Sequence, residues 1–441
     1  MAECFVGKST LHGTIVCPPN KSYMEREVLI SPMVNGTTRI TNAVFSGKTE
    51  AAIGAALALG AMVKRRTHDS ITLEGTGGIE PVSNLIDAGN SATTARISTA
   101  ISALSRMPMV IRGDQSLSKR PISELAKPLN ELGASVHSTN GGLPVYVSGP
   151  MIGGRADLDA TVSSQFVSAL LIAGANAARG VQLNLLGKPV SKPYIDATVA
   201  LLGMHGVKAI HHSTGKRIWQ HRHYNDLDKV RKDIYIVKPQ EYKPLDFMVP
   251  SDASSLAILL SAGVLNGAYF KIGFSTGSLP QGDLAIMPIL KRMGADVSID
   301  DGFISVSASK LSGCSIDLRN NPDLLPPLQV LAAVAEGPLE FTNVGQARFK
   351  ETDRISVPAR NLRKLGFRVE ERPDGMTISK DGPLHGAELD LQADHRTTMS
   401  FMGLAMNVGD CTIKGAECVA ISYPGFVEQM RGAHADISIR K

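Results

Sequence analysis

Six times along this chain an apolar, small or charged residue is followed by glycine and then by a short run that reads as a strand. The copies are Leu59-Gly60-Ala61-Met62-Val63, Leu132-Gly133-Ala134-Ser135-Val136, His205-Gly206-Val207-Lys208-Ala209, Met293-Gly294-Ala295-Asp296-Val297, Leu365-Gly366-Phe367-Arg368-Val369 and, more loosely, Arg431-Gly432-Ala433-His434-Ala435. A glycine past the end of a helix supplies the left-handed residue that turns the chain out of it. Each copy therefore reads as helix, turn, strand. One such step occurs in any α/β protein. Six, at intervals of roughly 70 residues with one longer gap between Gly206 and Gly294, predict an array of repeated α/β units, each a small layer of helix on sheet.

The longer gap holds residues 211–242, polar and weakly periodic. They include Thr214-Gly215-Lys216-Arg217, the single Trp219 and Asp226-Leu227-Asp228-Lys229-Val230-Arg231-Lys232. This stretch reads as surface hairpins and a link between two domains of three units each. His211, His212, His221 and His223 show no fixed ligand spacing and no neighbouring Cys or Asp set, so they read as exposed loop histidines.

Composition narrows the function classes. With 441 residues, 43% hydrophobic and 20% charged, the chain has enough length for two or three domains with sizeable cores. Its net charge of +5 is not gathered into a block, and aromatics are only 5%. A basic–aromatic nucleic-acid surface is therefore not expected, and a small anionic substrate fits better. No charge-free apolar run of the length needed to span a membrane is present, and Met-Ala-Glu-Cys-Phe-Val-Gly-Lys lacks the apolar core of a signal peptide. Cys4, Cys17, Cys314, Cys411 and Cys418 form no CxxC and read as reduced thiols of a cytoplasmic protein. Ser46-Gly47-Lys48-Thr49 imitates the end of a P-loop, but Asn42 stands where the first glycine is required, which argues against an ATPase.

The densest chemistry is Lys350-Glu351-Thr352-Asp353-Arg354, between a strand-like run (339–344) and a helical one (355–365). Free N–H groups and the helix dipole favour an anion at such a junction; a solvated first turn is the plainer alternative. Other polar loops also feed helices. Pro18-Pro19-Asn20-Lys21-Ser22-Tyr23-Met24-Glu25-Arg26 sets two cations around a hydroxyl, suited to phosphate or carboxylate. Asp87-Ala88-Gly89-Asn90-Ser91-Ala92-Thr93-Thr94-Ala95-Arg96 is small and hydroxyl-rich, so a ligand can approach its backbone closely. Ser118-Lys119-Arg120-Pro121, Thr161-Val162-Ser163-Ser164-Gln165, Ser191-Lys192-Pro193-Tyr194 and Pro250-Ser251-Asp252-Ala253-Ser254-Ser255 repeat the theme. Asp323 lies beside Leu324-Leu325-Pro326-Pro327, an apolar setting expected to desolvate its carboxylate and raise its pKa toward that of a useful base. Asp394-His395-Arg396 opens a further apolar helix, with Asp394 as a candidate cap.

In this order, from Lys21 to about Pro424, these motifs resemble the 5-enolpyruvylshikimate-3-phosphate (EPSP) synthase family of enolpyruvyl transferases. Lys350–Arg354 and Asp394–Arg396 are the most specific matches. The resemblance implies an α/β fold of two domains, each of three βαβαββ repeats in an inside-out α/β barrel, with a ligand cleft between the domains. Residues 1–14 and 244–441 would form the first, discontinuous domain and residues 15–243 the second. It also implies transfer of enolpyruvyl from phosphoenolpyruvate to the 5-hydroxyl of shikimate 3-phosphate with release of phosphate. The implied enzyme is a cytoplasmic monomer with no metal and no organic cofactor, and no nucleic-acid or membrane partner.

By motif, Asp323 would take the 5-hydroxyl proton and Glu351 would deliver and remove the C3 proton, with Lys21 and His395 in support. Shikimate 3-phosphate would meet Lys21, Ser22, Arg26, Ser163, Ser164, Gln165, Ser191, Tyr194, Asp323, Gln346 and Lys350. Phosphoenolpyruvate would meet Lys21, Asn90, Ala92, Arg120, Gln165, Arg354 and Arg396.

Three positions depart from the family pattern. Ile421 stands where a lysine usually completes the phosphoenolpyruvate clamp, with Lys414 as a candidate substitute. Lys48 replaces a common acidic residue and would either add a cation to the cleft or face solvent. Ala92 replaces a common glycine, and its methyl would crowd phosphonomethyl analogues such as glyphosate. The sister enzyme acting on UDP-N-acetylglucosamine lacks the Lys350–Arg354 signature, and usually carries a Cys where this chain has Ser116-Leu117-Ser118. A non-catalytic anion-binding relative would not be expected to keep Asp323, Glu351, Lys21 and three arginines.

Overall fold

The structure, a computed structural model, describes residues 3–214, 232–275 and 277–440. The chain divides into two compact units. The terminal unit comprises residues up to Lys21, Val44–Gly47 and residues from Pro250 on; the middle unit comprises Ser22–Ala43 and Lys48–Val249.

Among the described residues there are six four-stranded sheets, three in each unit, plus one short pair, Leu311–Ser312 with Ala335–Glu336. All six follow one plan: a parallel pair, then two antiparallel neighbours. In the middle unit the sheet Leu85–Asp87, Met109–Arg112, Gly142–Ser148, Ser135–Thr139 is typical, with its first two strands parallel and the rest antiparallel. Parallel neighbours need a crossover, here the helix Ala92–Ser102. The antiparallel pair is joined at Asn140 and Gly141, both left-handed, as a tight hairpin requires.

Distant segments complete some of the sheets. Asp246–Met248 pairs in parallel with Asn35–Thr41 in the middle unit. Leu11–Val16 pairs with Gly267–Gly273, and Glu3–Val6 sits between Cys411–Lys414 and Ile437–Arg440, both in the terminal unit. These pairings make the terminal unit discontinuous.

Five of the six repeat glycines have positive φ: Gly60, Gly133, Gly206, Gly294 and Gly366. The sixth differs. Gly432 ends the helix Phe426–Gly432, and His434, at φ 70°, makes the left-handed turn. Strands follow all six, at Met62–Arg66, Ser135–Thr139, Ala209–Thr214, Val297–Asp300, Phe367–Arg372 and Ile437–Arg440.

The described parts of 211–242, which were expected to hold surface hairpins and a link, lie within the middle unit. Ala209–Thr214 and Lys232–Val237 are antiparallel neighbours within the third sheet of the middle unit, and the chain changes unit later, at Val249–Pro250. His211 is a strand residue rather than a loop one: it stacks on Tyr235 at 4.3 Å and bonds Asp233 at 3.0 Å. Trp219, His221 and His223 lie outside the described residues.

Helix composition decides which helices are central. Ala253–Asn266 (ASSLAILLSAGVLN) has no charged residue and is buried at every position, as a helix without a polar face must be. It packs on His395–Val408 and on Leu325–Gln329 in the terminal unit. Ser164–Gly174 does the same in the middle unit, between Ala92–Ser102 and Lys192–Met204. By contrast Ser356–Lys364 keeps Arg360, Arg363 and Lys364 out of its buried set, and only one face is covered. Polar loops before the central helices thus lie at the N-terminal ends of buried helices.

Candidate active site

In the terminal unit the two most specific motifs converge on one guanidinium. Arg354 is 1% exposed. Its Nη1 donates to Asp323 Oδ1 at 2.8 Å, its Nη2 to Glu351 Oε2 at 2.8 Å, and its Nε to Asp394 Oδ2 at 2.8 Å. A planar fork with five N–H donors suits this role, and lysine would not. Asp394 does two jobs: it also caps the helix His395–Val408, accepting from the N–H groups of Arg396 and Thr397. The chain reaches that cap through Gln392 and Ala393, both left-handed, at φ 53° and 56°. Such backbone costs roughly 1 kcal/mol per residue and clusters at functional sites.

Asp323, in the short helix Pro322–Leu324, is the meeting point of the cations. Besides Arg354, Lys350 Nζ lies 3.1 Å from Oδ1 and Arg396 3.6 Å from Oδ2. Burial does push its pKa up, as the apolar neighbours suggest, but Lys350, Arg396 and Arg354 outweigh burial and hold the carboxyl well below its usual range. The expectation of a raised pKa is therefore corrected. Lys350 and Arg354 reach Asp323 from the loop before Ser356–Lys364 and Arg396 from the first turn of His395–Val408, and together they keep it ionised.

Within the Lys350–Arg354 motif the residues divide by task. Asp353 accepts from the N–H groups of Ile355 and Ser356 and pairs with Arg348 at 2.6 Å, so it builds the start of the helix Ser356–Lys364. Thr352 donates to Asp394 at 3.3 Å. Gln346 donates to the Arg319 carbonyl at 3.1 Å. His395 is 1% exposed. Lys21, 5% exposed, ends the first segment of the terminal unit.

In the middle unit a second polar group forms at helix starts. Ser163 caps Ser164–Gly174, accepting from Gln165 N. Arg96 donates to Ser163 Oγ at 3.0 Å and to Gln165 Oε1 at 2.8 Å, with its guanidinium 4.7 Å from the Phe166 ring centre. Gln165 in turn donates to Thr93 at 3.1 Å. Ser164 is buried. Arg26 donates to Thr198 Oγ1 at 3.0 Å and to the Ser22 carbonyl at 2.8 Å; burial lowers its pKa and the Glu25 carboxylate works against that. Ser191 precedes the helix Lys192–Met204 in left-handed backbone at φ 53°, and its carbonyl accepts from Tyr194 N. Asn90 donates to Asp114 at 2.6 Å, Ala92 is the first residue of its helix, and Arg120, 7% exposed, lies 3.4 Å from Ser116 Oγ.

The departures acquire settings. Ile421 is half-buried and packs on the terminal unit's core. Lys414 pairs with Glu388 at 2.6 Å, an exposed pair on neighbouring strands. Lys48 is 7% exposed, so of its two expected settings the solvent-facing one is excluded.

Sequence reading missed three residues in these groups. Arg96 is the one charged side chain in ATTARISTAIS, which is the signal that marks it. Asp283, 2% exposed, accepts from Ser254 Oγ; burial and the nearby Asp323 raise its pKa, while Arg396 pulls it down. Glu25, 1% exposed, accepts from Ser91 Oγ, the cap of Ala92–Ser102. No local pattern marks the last two, because their partners lie far away in sequence. Among the described residues no group of His, Cys, Asp and Glu has the makings of a metal site, and no helix is long and apolar enough to cross a membrane.

Comparison with known proteins agrees along the whole chain. A family model described as EPSP synthase (3-phosphoshikimate 1-carboxyvinyltransferase) matches residues 6–430. The 3-phosphoshikimate 1-carboxyvinyltransferase of Nitrosopumilus maritimus is 39% identical over 436 residues, 99% of each chain. That of Methanococcoides burtonii is 37% identical over 98% of each. Among solved structures, EPSP synthase from Acinetobacter baumannii superposes with a TM-score of 0.79 at 26% identity, covering 100% of both chains. With the repeated sheets and the converging motifs already in place, these matches carry one conclusion: the chain belongs to the EPSP synthase family and has its two-domain enolpyruvyl transferase fold.

Proposed function

We propose that the enolpyruvyl transfer of this family is carried out here by Asp323 and Glu351 as the acid/base pair. The observation that carries the assignment is that both carboxylates bond the same guanidinium, Arg354, at 2.8 Å. Two carboxyl groups on one fork are within reach of one small substrate. In the reaction Glu351 protonates C3 of phosphoenolpyruvate, C2 becomes cationic, and the 5-hydroxyl oxygen of shikimate 3-phosphate attacks it as Asp323 accepts the hydroxyl proton. The C2–O bond to phosphate then breaks, Glu351 takes back a C3 proton, and the hydroxyl proton departs with phosphate.

The state of Asp323 supports this division. Held low by three cations, it is ionised before substrate arrives, which a general base must be. Anionic substrates that draw Lys350, Arg354 and Arg396 onto themselves weaken that hold and raise its proton affinity when the hydroxyl is in place. Arg354 and Arg396 bind phosphoenolpyruvate, with Asn90, Ala92, Arg120 and Gln165 in the roles that the family motifs give them. Ser22, Arg26, Ser163, Ser164, Gln165, Ser191, Tyr194, Gln346 and Lys350 hold shikimate 3-phosphate, Lys21 neutralises phosphate, and His395 supports the reaction centre. On this reading the protein is a cytoplasmic monomer acting on two small anions, with no metal or organic cofactor.

The test follows the C3 proton. In D2O with both substrates the wild type should place deuterium in the methylene of product and of recovered phosphoenolpyruvate. Glu351→Gln should abolish incorporation while shikimate 3-phosphate still binds. Wild-type deuterium incorporation in Glu351→Gln would overturn the assignment.

A further inference from the structure

Lys21 follows a residue that is anchored more heavily than a helix start requires. Asn20 N donates to the Pro250 carbonyl at 2.7 Å, and Asp252 N donates to the Pro18 carbonyl at 2.8 Å. Pro19 and Ser251 form an antiparallel bridge. The Asn20 amide donates to Asp252 Oδ1 at 3.2 Å and to Gln281 Oε1 at 2.6 Å. Gln281 Oε1 also accepts from Ala253 N at 2.9 Å, and its Nε2 donates to the Ser251 carbonyl at 2.8 Å. Asp252 completes the set as the cap of Ala253–Asn266, accepting from Ser254 N and from Ser255 Oγ.

One side chain, Gln281, therefore ties two other segments together: the loop 250–253 and Asn20, at 261 residues' separation. The main chain between Pro18 and Asn20 is already paired with Pro250–Asp252, so fold alone does not call for a second, side-chain clasp on Asn20. That clasp fixes the residue immediately before the lysine. An ammonium on a flexible four-carbon stem loses precision quickly if its own backbone shifts, and a displacement of about 1 Å can cost about 100-fold in rate.

We propose that Gln281 is a positioning residue for Lys21, acting through Asn20, so that the lysine's backbone is fixed before the anionic substrates bind. The inference rests on the reading of Lys21 as a substrate-binding lysine.

A double-mutant cycle tests it. Gln281→Ala should lower kcat/KM by up to about 100-fold, out of proportion to any shift in unfolding midpoint. Lys21→Ala alone should lower it at least as far. In the Lys21→Ala background, Gln281→Ala should change the residual kcat/KM by less than about threefold, because the group it positions is gone. An equal loss in both backgrounds overturns the inference while leaving Lys21 in its role. Wild-type turnover in Lys21→Ala overturns the reading of Lys21, and the inference with it. If Gln281→Ala does not fold, Asn20→Ala, which leaves the bonds of Gln281 to Ala253 and Ser251 intact, runs the same cycle with the same outcomes.

Discussion

Asp394 combines a helix cap and a buried counter-charge, and two substitutions separate them. Asparagine caps a helix about as well as aspartate, so Asp394→Asn keeps the bonds to Arg396 N and Thr397 N and removes the negative charge facing Arg354. Breaking a buried ion pair costs about 3–5 kcal/mol when the remaining charge is left bare. Arg354 is not left bare: Asp323 and Glu351 stay at 2.8 Å each, two of its three carboxylates. The expected loss is therefore a third to a half of that figure, about 1–2 kcal/mol. For a unit of this size that corresponds to a fall of about 2–8 °C in unfolding midpoint. Asp394→Ala should lose about 1 kcal/mol more, the value of the cap. Thermal unfolding of the three proteins at one concentration measures both steps. The Asn step should persist in 1 M NaCl, since buried pairs are screened far less than exposed ones. Wild-type stability in Asp394→Asn, or no difference between Asn and Ala, would refute the separation of roles.

Three further expectations follow from particular side chains. His205 and Glu27 are both fully buried, 3.0 Å apart, and the other ring nitrogen of His205 bonds the Lys243 carbonyl at 2.8 Å. Burial lowers the pKa of His205, but the bond and charge of Glu27 outweigh it and the net shift is upward. The pair's stabilisation is then full below the unfolded value of about 6.5 and is lost as pH rises through the folded pKa. Unfolding midpoints should therefore fall over that range, and His205→Gln should flatten the profile; an unchanged profile would count against the pair. Restoring the family lysine with Ile421→Lys should lower KM for phosphoenolpyruvate by tenfold or more, since a cation about 4 Å from an anion gains up to about 4 kcal/mol at an effective dielectric of 20; an unchanged KM would show that the clamp is complete without it. Ala92→Gly removes a methyl from the first turn of its helix and should lower the inhibition constant of glyphosate, whereas the same constant in both proteins would refute crowding by the Ala92 methyl.

Much of this was legible in the sequence, for reasons that also mark the boundary of what was not. The repeat could be read because a left-handed residue after a helix selects glycine, and five of the six copies use it; the sixth matched only loosely because His434 makes the turn instead of Gly432. Alternation identified strands but not their partners, so the pairing of Asp246–Met248 with Asn35–Thr41 had no local signal, and the strands Ala209–Thr214 and Lys232–Val237 overlap a stretch that read as surface hairpins and a link. Lys350–Arg354 and Asp394–Arg396 were visible because each is contiguous. What they do to Asp323 was not. Its apolar neighbours are adjacent in sequence and suggested a raised pKa, while the cations that lower it come from residues 350, 354 and 396. Gln281 and Asp283 escaped for the same reason.

If Asp323 and Glu351 are the acid/base pair of the enolpyruvyl transfer to shikimate 3-phosphate, neither can be lost without loss of turnover. Phosphate release from phosphoenolpyruvate, measured with and without shikimate 3-phosphate beside Asp323→Asn and Glu351→Gln, tests it most directly. Release should require shikimate 3-phosphate and collapse in both variants. Release without shikimate 3-phosphate, or near wild-type release in either variant, would contradict that assignment.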